Sequence, residues 1–202
     1  MADAPIDPLY AVEADPYCYK GTAVLKNRAG LRDQAALDQF EAAIVTFQST
    51  QPLPGGRLDA RHYRALHRHL FGPVYRWAGR DRTIRIAKGA SMFCYPEQIA
   101  AQMDGLFGGL ARADFLRGLD PEAFAGAAAH FLSELNVIHP FREGNGRAQK
   151  AFLVLLGEQA GHRIDVRKIQ REAYVAAMIT AFHEDERPLA GLIRTLVPGA
   201  RG

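Results

Sequence analysis

Twelve consecutive residues, 139–150, place a base, an acid, two glycines around an asparagine, and then two cations close together in the chain. His139 is a candidate general base, because imidazole exchanges protons near neutral pH. Glu143 follows four residues later, and Mg²⁺ in proteins commonly uses one or two carboxylates together with phosphate oxygens. These residue types at this spacing predict phosphate chemistry.

The Gly144-Asn145-Gly146 segment predicts an anion site. Glycine tolerates positive φ and lets the backbone approach a ligand closely. A helix that begins at about Asn145 would point its first free N–H groups at an anion, with the helix dipole adding a favourable field. Arg147 and Lys150 lie three residues apart, so on a helix they would share one face and reach phosphate oxygens. The alternative is a glycine-rich loop between helices beside a solvated charge cluster, and the complete run favours the phosphate site.

The run resembles the signature of the Fic family, His-x-Phe-x-(Asp/Glu)-Gly-Asn-Gly-Arg-x-x-Arg, as far as Arg147. It departs at the last position, where Lys150 replaces arginine. Residues 15–19, 74–79 and 134–138 also resemble stretches of bacterial Fic toxins. The resemblance implies an all-α fold, a Fic-type helical bundle with one short β-hairpin flap over the active site. We expect residues 1–202 to form a single Fic domain.

Fic enzymes typically transfer AMP from ATP to a hydroxyl side chain of a target protein. The resemblance therefore implies a protein adenylyltransferase with ATP as co-substrate and Mg²⁺ as cofactor. By position, His139 would deprotonate the target hydroxyl, Phe141 would anchor the loop, and Glu143 would hold Mg²⁺ against the α- and β-phosphates. Arg147 would steady the β-phosphate region. Lys150 keeps the charge of the arginine that grips the γ-phosphate but loses its bidentate geometry.

The resemblance also implies partners. Short Fic toxins are held inactive by a small antitoxin that supplies an inhibitory helix, and their targets include DNA gyrase and topoisomerase IV subunits. The modified group would be a Ser, Thr or Tyr hydroxyl. Two alternatives stay open: a Fic-type transferase that uses another nucleotide or a phosphocholine donor, and a catalytically weak binding protein. Lys150 favours the binding protein, whereas His139 argues against it.

Some Fic proteins carry their own inhibitory helix, marked by Ser/Thr-x-x-x-Glu before Gly or Asn. Thr180 and Glu184 have this spacing, but Asp185 stands where Gly or Asn is required. Glu184 is therefore a candidate for self-inhibition, and the separate antitoxin is the favoured arrangement.

Residues 82–95 interrupt the helical pattern and predict the flap. Residues 83–86 alternate as a strand does, Lys88-Gly89 marks a turn, and residues 91–95 return as a second strand. In the family the flap pairs its edge with an extended segment of the target through main-chain hydrogen bonds. The alternative is a connecting hairpin without a partner. The expected target-docking residues are Ile84, Arg85 and Ile86, and the expected nucleotide-adjacent residues are Ser91, Met92 and Phe93.

Apolar spacing and capping signals predict the helices around the motif. The expected segments are 32–49, one that begins after Asp59, one from Pro96 to about Gly109, one from Asp120-Pro121 to His139, one from the motif to Gly161, then 165–183 and 188–197. Residues 1–15, rich in proline, are expected to form an extended arm. His62, His67 and His69 have no cysteine or carboxylate cluster beside them and are expected to be surface or packing residues.

Composition sets broad limits. The chain has 202 residues, a net charge of +3 and a pI of about 9.0. The basic residues are scattered, so direct nucleic-acid binding is not expected. No run of apolar residues is long enough for a membrane span, and no signal-peptide pattern is present. Cys18 and Cys94 are expected to be reduced thiols in a cytoplasmic protein.

Overall fold

The computed structural model describes residues 15–88 and 91–197. The predicted arm lies outside the described residues except for Asp15, and so do Gly89 and Ala90 at the flap tip. Within the described ranges the fold is all-α with one small hairpin, as predicted. The elements are α1 (Gln34–Thr50), α2 (Ala60–Phe71), β1 (Ala87–Lys88), β2 (Ser91–Met92), α3 (Ile99–Arg112), α4 (Pro121–Ile138), α5 (Asn145–Ala160), α6 (Arg171–Phe182) and α7 (Arg187–Leu196).

Capping side chains set the starts of three helices. Asp33, Asp59 and Asp120 each accept hydrogen bonds from backbone N–H groups in the first turn of α1, α2 and α4. These bonds satisfy donors that have no partner inside the helix. Gly161 ends α5 in the left-handed conformation, a common helix end. The predicted starts after Asp59 and Asp120 and the predicted stop near Gly161 are confirmed.

The single helix predicted over 165–183 is wrong at its start. A 3₁₀ turn occupies Val166–Lys168, and α6 begins only at Arg171. Asp165 accepts a hydrogen bond from the Arg167 N–H, which favours a local turn. Ile169 and Gln170 then have extended backbones, which separate the turn from the helix.

The flap pairs over fewer residues than predicted. β1 and β2 are antiparallel, with Ala87 opposite Met92, but residues 83–86 are not a strand. Side chains take the backbone groups that a strand would use: the Tyr17 hydroxyl accepts from the Thr83 N–H (3.0 Å), and Arg82 donates to the Ile84 carbonyl (2.6 Å).

The main core surrounds α4, which packs against α3, α5, α6 and α7. Its centre is a cluster of aromatic rings from four helices, with centroids 5.2–5.8 Å apart: Tyr63, Phe107, Phe131 and Phe152. All four side chains are buried, and aromatic side chains contribute large apolar areas to a core. The two helices that flank the 139–150 motif are therefore anchored in one core.

A second apolar cluster joins the N-terminal segment to α1 and α2. It includes Val24, Leu37, Val45, Leu70 and Phe71. Because α2 also contributes Tyr63 and Leu66 to the main core, this helix connects the two clusters. Cys18 and Cys94 are free thiols. Within residues 15–88 and 91–197, no helix is both long and apolar enough to cross a bilayer.

Candidate active site

His139 lies at the end of α4 in the left-handed conformation (φ 47°, ψ 62°). This backbone is uncommon for a residue other than glycine, and such residues concentrate at functional sites. Its ring Nδ1 lies 3.3 Å from the Asn136 carbonyl. A carbonyl oxygen only accepts, so Nδ1 carries the proton in the neutral ring and Nε2 carries the lone pair. The ring also stacks on Phe93, with centroids 3.9 Å apart.

The Asn145 side chain closes the turn between α4 and α5. Its Oδ1 accepts from the Phe141 N–H (3.0 Å), and its Nδ2 donates to the Phe141 carbonyl (2.8 Å). Asn145 is only 2% exposed, so both bonds are shielded from water. Phe141 is fully buried and packs on Tyr63 (5.4 Å) and on His67 (3.8 Å). The structure thus places Phe141 as the expected anchor of the loop.

The N-terminus of α5 has the form predicted for an anion site. Gly144 precedes the helix with φ 84°, and no side chain of the described residues caps it. The first N–H groups of a helix have no intrahelical partners, and the helix dipole makes this end attractive to anions. Asn145 and Gly146 are the first two residues of α5. The Gly144–Gly146 segment therefore follows directly on the turn that carries His139.

Glu143 lies beside this helix end and is 46% exposed at its side chain. Its Oε1 accepts from the Gly144 N–H (2.8 Å) and from Arg147 Nη2 (3.1 Å). No group of three or more His, Cys, Asp or Glu residues that could hold a metal occurs in the described part of the chain. One accessible carboxylate next to an anion site nevertheless fits Mg²⁺, which fills its remaining positions with phosphate oxygens and water.

Arg147 and Lys150 lie three residues apart on α5, as predicted, but their charged groups turn towards different helices. Arg147 turns towards α1, where Nη1 lies 2.6 Å from Glu41 Oε1, and its guanidinium lies over the Phe71 ring at 4.5 Å. Lys150 turns towards α6, with Nζ 5.5 Å from the centre of the Tyr174 ring. The 60° offset between residues three apart on a helix lets each side chain reach a different neighbour. Two carboxylates already hold Arg147, which suits it to fixing the loop.

Lys150 lies in a cationic environment. Burial lowers the pKa of its ammonium, and the charges of Arg147 and Arg171 lower it further. Among the described residues, Lys150 forms no ion pair with a carboxylate. Positive charges gathered in this way favour a polyanionic ligand. Arg171, in the first turn of α6, had no sequence signal that linked it to the motif.

Of the predicted flap residues, Phe93 contacts the His139 ring. Phe93 is buried against the His139 ring and against Phe182 of α6 (5.9 Å). Met92 is partly exposed, and Ser91 lies in β2. Ile84, Arg85 and Ile86 precede β1. Arg85 lies over the Tyr95 ring at 3.8 Å, and the Ile86 carbonyl accepts from the Phe93 N–H (3.4 Å).

His67 supports the loop from below. Its Nδ1 accepts from the Gly79 N–H (2.9 Å), so Nε2 carries the proton and donates to the Glu143 carbonyl (2.9 Å). Burial lowers the pKa of His67 to about 4, and the Arg147 charge acts in the same direction. The expected packing role of His67 is confirmed, whereas its contact with the motif had no sequence signal. His62 is also buried, and His69 is half-buried.

Two further arginines hold the motif, and the sequence did not identify them. Arg142 pairs with Asp15 at 2.8 Å, which ties the N-terminal segment to the loop. Arg82 is buried and donates to the His139 carbonyl at 2.8 Å. Arg82 acts on backbone carbonyls and Arg142 on a carboxylate far away in sequence. Neither contact leaves a spacing pattern around the motif, so only the folded structure reveals them.

Glu184 lies outside the helix that self-inhibition would require. α6 ends at Phe182, and Glu184 follows in an exposed turn with φ 73°. Within the described residues it pairs with neither Arg147 nor Lys150.

Comparisons with known proteins agree with this geometry. The model of the Fic/DOC family matches residues 57–156. A Sinorhizobium fredii protein named "Probable protein adenylyltransferase y4lH" is 49% identical over 189 residues, which cover 93% of this chain and 98% of the relative. The chain belongs to the Fic/DOC family.

Solved structures support the same family. One is the N-terminal Fic domain of a VirB-translocated Bep effector protein from Bartonella quintana, solved with bound ADP. It is 30% identical with a TM-score of 0.84, and the match covers 92% of this chain and 95% of the solved chain. The BepC protein from Bartonella tribocorum, solved with bound AMPPNP, is 28% identical with a TM-score of 0.82 and covers 92% and 97%.

Gly144→Ala tests whether the positive φ before α5 is required. A Cβ at Gly144 would lie 2.4 Å from the Phe71 ring, whereas a Cβ at Gly146 meets nothing within 4 Å. We expect Gly144→Ala to lower the free energy of unfolding by about 2–4 kcal/mol, from backbone strain and overpacking together. Gly146→Ala is the matched control and should stay within about 0.5 kcal/mol. Urea unfolding measures both, and equal stability of the two variants would contradict the assignment.

His67 should make the protein sensitive to acid. Because its pKa is about 4 in the folded chain and 6.5 in the unfolded chain, the unfolded chain binds more protons between these values. The free energy of unfolding should therefore decrease by about 2 kcal/mol from pH 7 to pH 5 on account of His67 alone. His67→Gln should flatten this dependence in urea titrations, whereas His130→Gln, at an exposed histidine, should preserve it. Parallel pH profiles for wild type and His67→Gln would rule the assignment out.

Proposed function

We propose that the chain is a protein adenylyltransferase that transfers AMP from ATP to a hydroxyl side chain of a cytoplasmic protein. The observation that carries the proposal is the direct succession of His139 and the start of α5 at Asn145, which no side chain of the described residues caps. A base and an anion site separated by one short turn suit transfer of a phosphoryl group to a hydroxyl. Relatives named protein adenylyltransferases, and relatives solved with ADP or AMPPNP, support it.

The reaction uses the site as follows. His139 Nε2 takes the proton of the target hydroxyl as its oxygen attacks the α-phosphorus in line. The new oxygen–phosphorus bond forms, the bond to the bridging oxygen breaks, and pyrophosphate leaves. The backbone N–H groups at the start of α5 stabilise the phosphate charge. Glu143 would hold Mg²⁺, which supplies neutralising charge at the phosphates when bound. Lys150 contributes a point charge towards the end of the triphosphate.

An apolar face beside His139 can receive the nucleotide base. Val175, Ile179 and Phe182 lie on one stripe of α6, and Val175 and Ile179 are 40% and 54% exposed. Phe182 contacts Phe93, which stacks on His139, so the stripe ends next to the general base. Exposed apolar side chains near a site commonly bind ligands. This arrangement would place the base on α6 and the phosphates at the start of α5.

The first experiment tests AMP transfer. The purified chain is incubated with α-³²P-ATP, Mg²⁺ and a bacterial lysate, beside His139→Ala. We expect a labelled protein band that is lost, or reduced at least about 100-fold, in the variant because the hydroxyl loses its base. γ-³²P-ATP is the control and should give no His139-dependent band, since the γ-phosphate leaves with pyrophosphate.

The alternatives predict other outcomes. A His139-dependent band that appears only with labelled UTP, GTP or CDP-choline would mean that this compound, and not ATP, is the donor. The absence of a band with every donor, together with binding of AMPPNP, would favour the binding protein instead. DNA gyrase and topoisomerase IV subunits are the proposed targets to compare with the labelled band.

We also propose that the protein is a toxin restrained in trans by a small antitoxin that supplies an inhibitory helix. The support is the position of Glu184, which lies in an exposed turn between α6 and α7 and, within the described residues, forms no ion pair with Lys150. The chain alone should therefore label its target, and Glu184→Gly should leave the rate within about twofold. The rate of label incorporation into the lysate band measures this. An inactive wild type that Glu184→Gly activates would show self-inhibition instead.

A further inference from the structure

Among the described residues, Arg82 is the largest buried polar side chain, with 2% exposure. Its guanidinium donates four hydrogen bonds to backbone carbonyls. The acceptors and distances are Cys94 (2.5 Å), Ile84 (2.6 Å), His139 (2.8 Å) and Ile138 (3.3 Å). Its backbone N–H also donates to the Pro140 carbonyl at 2.8 Å. The side chain and the main chain of Arg82 therefore both bind residues 138–140, and the side chain also binds Ile84 and Cys94.

The four carbonyls belong to two parts of the active site. Ile84 and Cys94 lie at the two ends of the flap, one on each side of its strands. Ile138 and His139 lie at the C-terminus of α4, where the carbonyl groups have no intrahelical partners. A direct hydrogen bond also joins the two parts: the Cys94 N–H donates to the Val137 carbonyl at 3.0 Å. The flap is thus joined to the helix end that carries His139.

Backbone dipoles stabilise the positive charge of Arg82. Within the described residues no carboxylate pairs with it, and burial lowers its pKa from the ordinary arginine value. The C-terminal end of a helix carries partial negative charge, which stabilises a cation placed there. Five N–H donors in one planar group can satisfy carbonyls from several directions, which a lysine ammonium does with fewer donors.

We propose that Arg82 is a positioning residue that sets the distance between the flap and the His139 ring. The proposal rests on the proposed function, in which the target docks along the flap and its hydroxyl must reach His139. Because the guanidinium binds both ends of the flap and the His139 carbonyl, the docked hydroxyl and the base are held at a fixed relative position. A displacement of about 1 Å between two reacting groups costs on the order of 100-fold in rate.

Three variants test whether Arg82 joins the flap to the end of α4. Arg82→Met removes the donors while keeping a long apolar chain, and Arg82→Lys keeps the charge with fewer donors. Arg64→Lys is the matched control, because Arg64 pairs at 2.7 Å with Asp81, the residue before Arg82, and this pair involves neither the flap nor the motif. Each variant is measured by hydrogen–deuterium exchange, by AMPPNP affinity, and by label incorporation from α-³²P-ATP into a bacterial lysate.

We expect the Phe93 and Cys94 amides to exchange at least about tenfold faster in Arg82→Met, while amides of α3 and α5 keep wild-type rates. Label incorporation should fall roughly 100-fold with AMPPNP affinity changed less than about threefold. Arg82→Lys should lie between Arg82→Met and wild type, and Arg64→Lys should resemble wild type in the flap.

Three outcomes would overturn the proposal. Uniformly faster exchange across all helices in both Arg82 variants would mean that Arg82 only stabilises the fold. Unchanged flap exchange, or equal losses of AMPPNP affinity and labelling, would mean that it does not set the flap distance. If the wild type transfers no nucleotide, the proposed function has failed, and the exchange comparison still decides whether Arg82 tethers the flap.

Discussion

The Asn145 amide, which bonds to both backbone groups of Phe141, is the interaction on which the site depends. It closes the turn and defines the first residue of α5 at once. An aspartate could accept from the Phe141 N–H but would place a second oxygen against the Phe141 carbonyl. Because the Asn145 side chain is used up by these two bonds, it does not cap the backbone N–H groups that start α5. The closed turn and the anion site are therefore one structure.

The arginines around the motif fix its conformation more than they supply charge to a ligand. Arg142 binds Asp15 of the N-terminal segment, Arg147 binds Glu41 of α1, and Arg82 binds the end of α4. Glu41 also accepts from the Tyr75 hydroxyl, which extends this support towards the second apolar cluster. Partly buried, multiply bonded guanidinium groups fix direction as well as distance. Three separate segments thus hold the turn that carries His139 and Glu143.

Sequence reasoning predicted what has a local cause. The starts of α2 and α4 follow from Asp59 and Asp120, which act within three residues, and the apolar stripe of α4 follows from its period. The motif likewise predicted that α5 would begin at Asn145. The first flap strand was wrong because two side chains, the distant Tyr17 and the neighbouring Arg82, take its backbone groups. Alternation of residue types carries no information about such competitors.

The same limit applies within the site. Helical spacing alone placed Arg147 and Lys150 near each other, but their neighbours determine where the charged groups point: Glu41 draws Arg147 towards α1, and Lys150 lies near Tyr174 of α6. This separation bears on the replacement of the family arginine by Lys150. The ammonium lies in a region where Arg147 and Arg171 add positive charge and lower its pKa. A bound polyanion would relieve that repulsion, so Lys150 gains most from a ligand with several negative charges. The departure from the family signature therefore removes a bidentate fork while leaving the charge that a triphosphate needs.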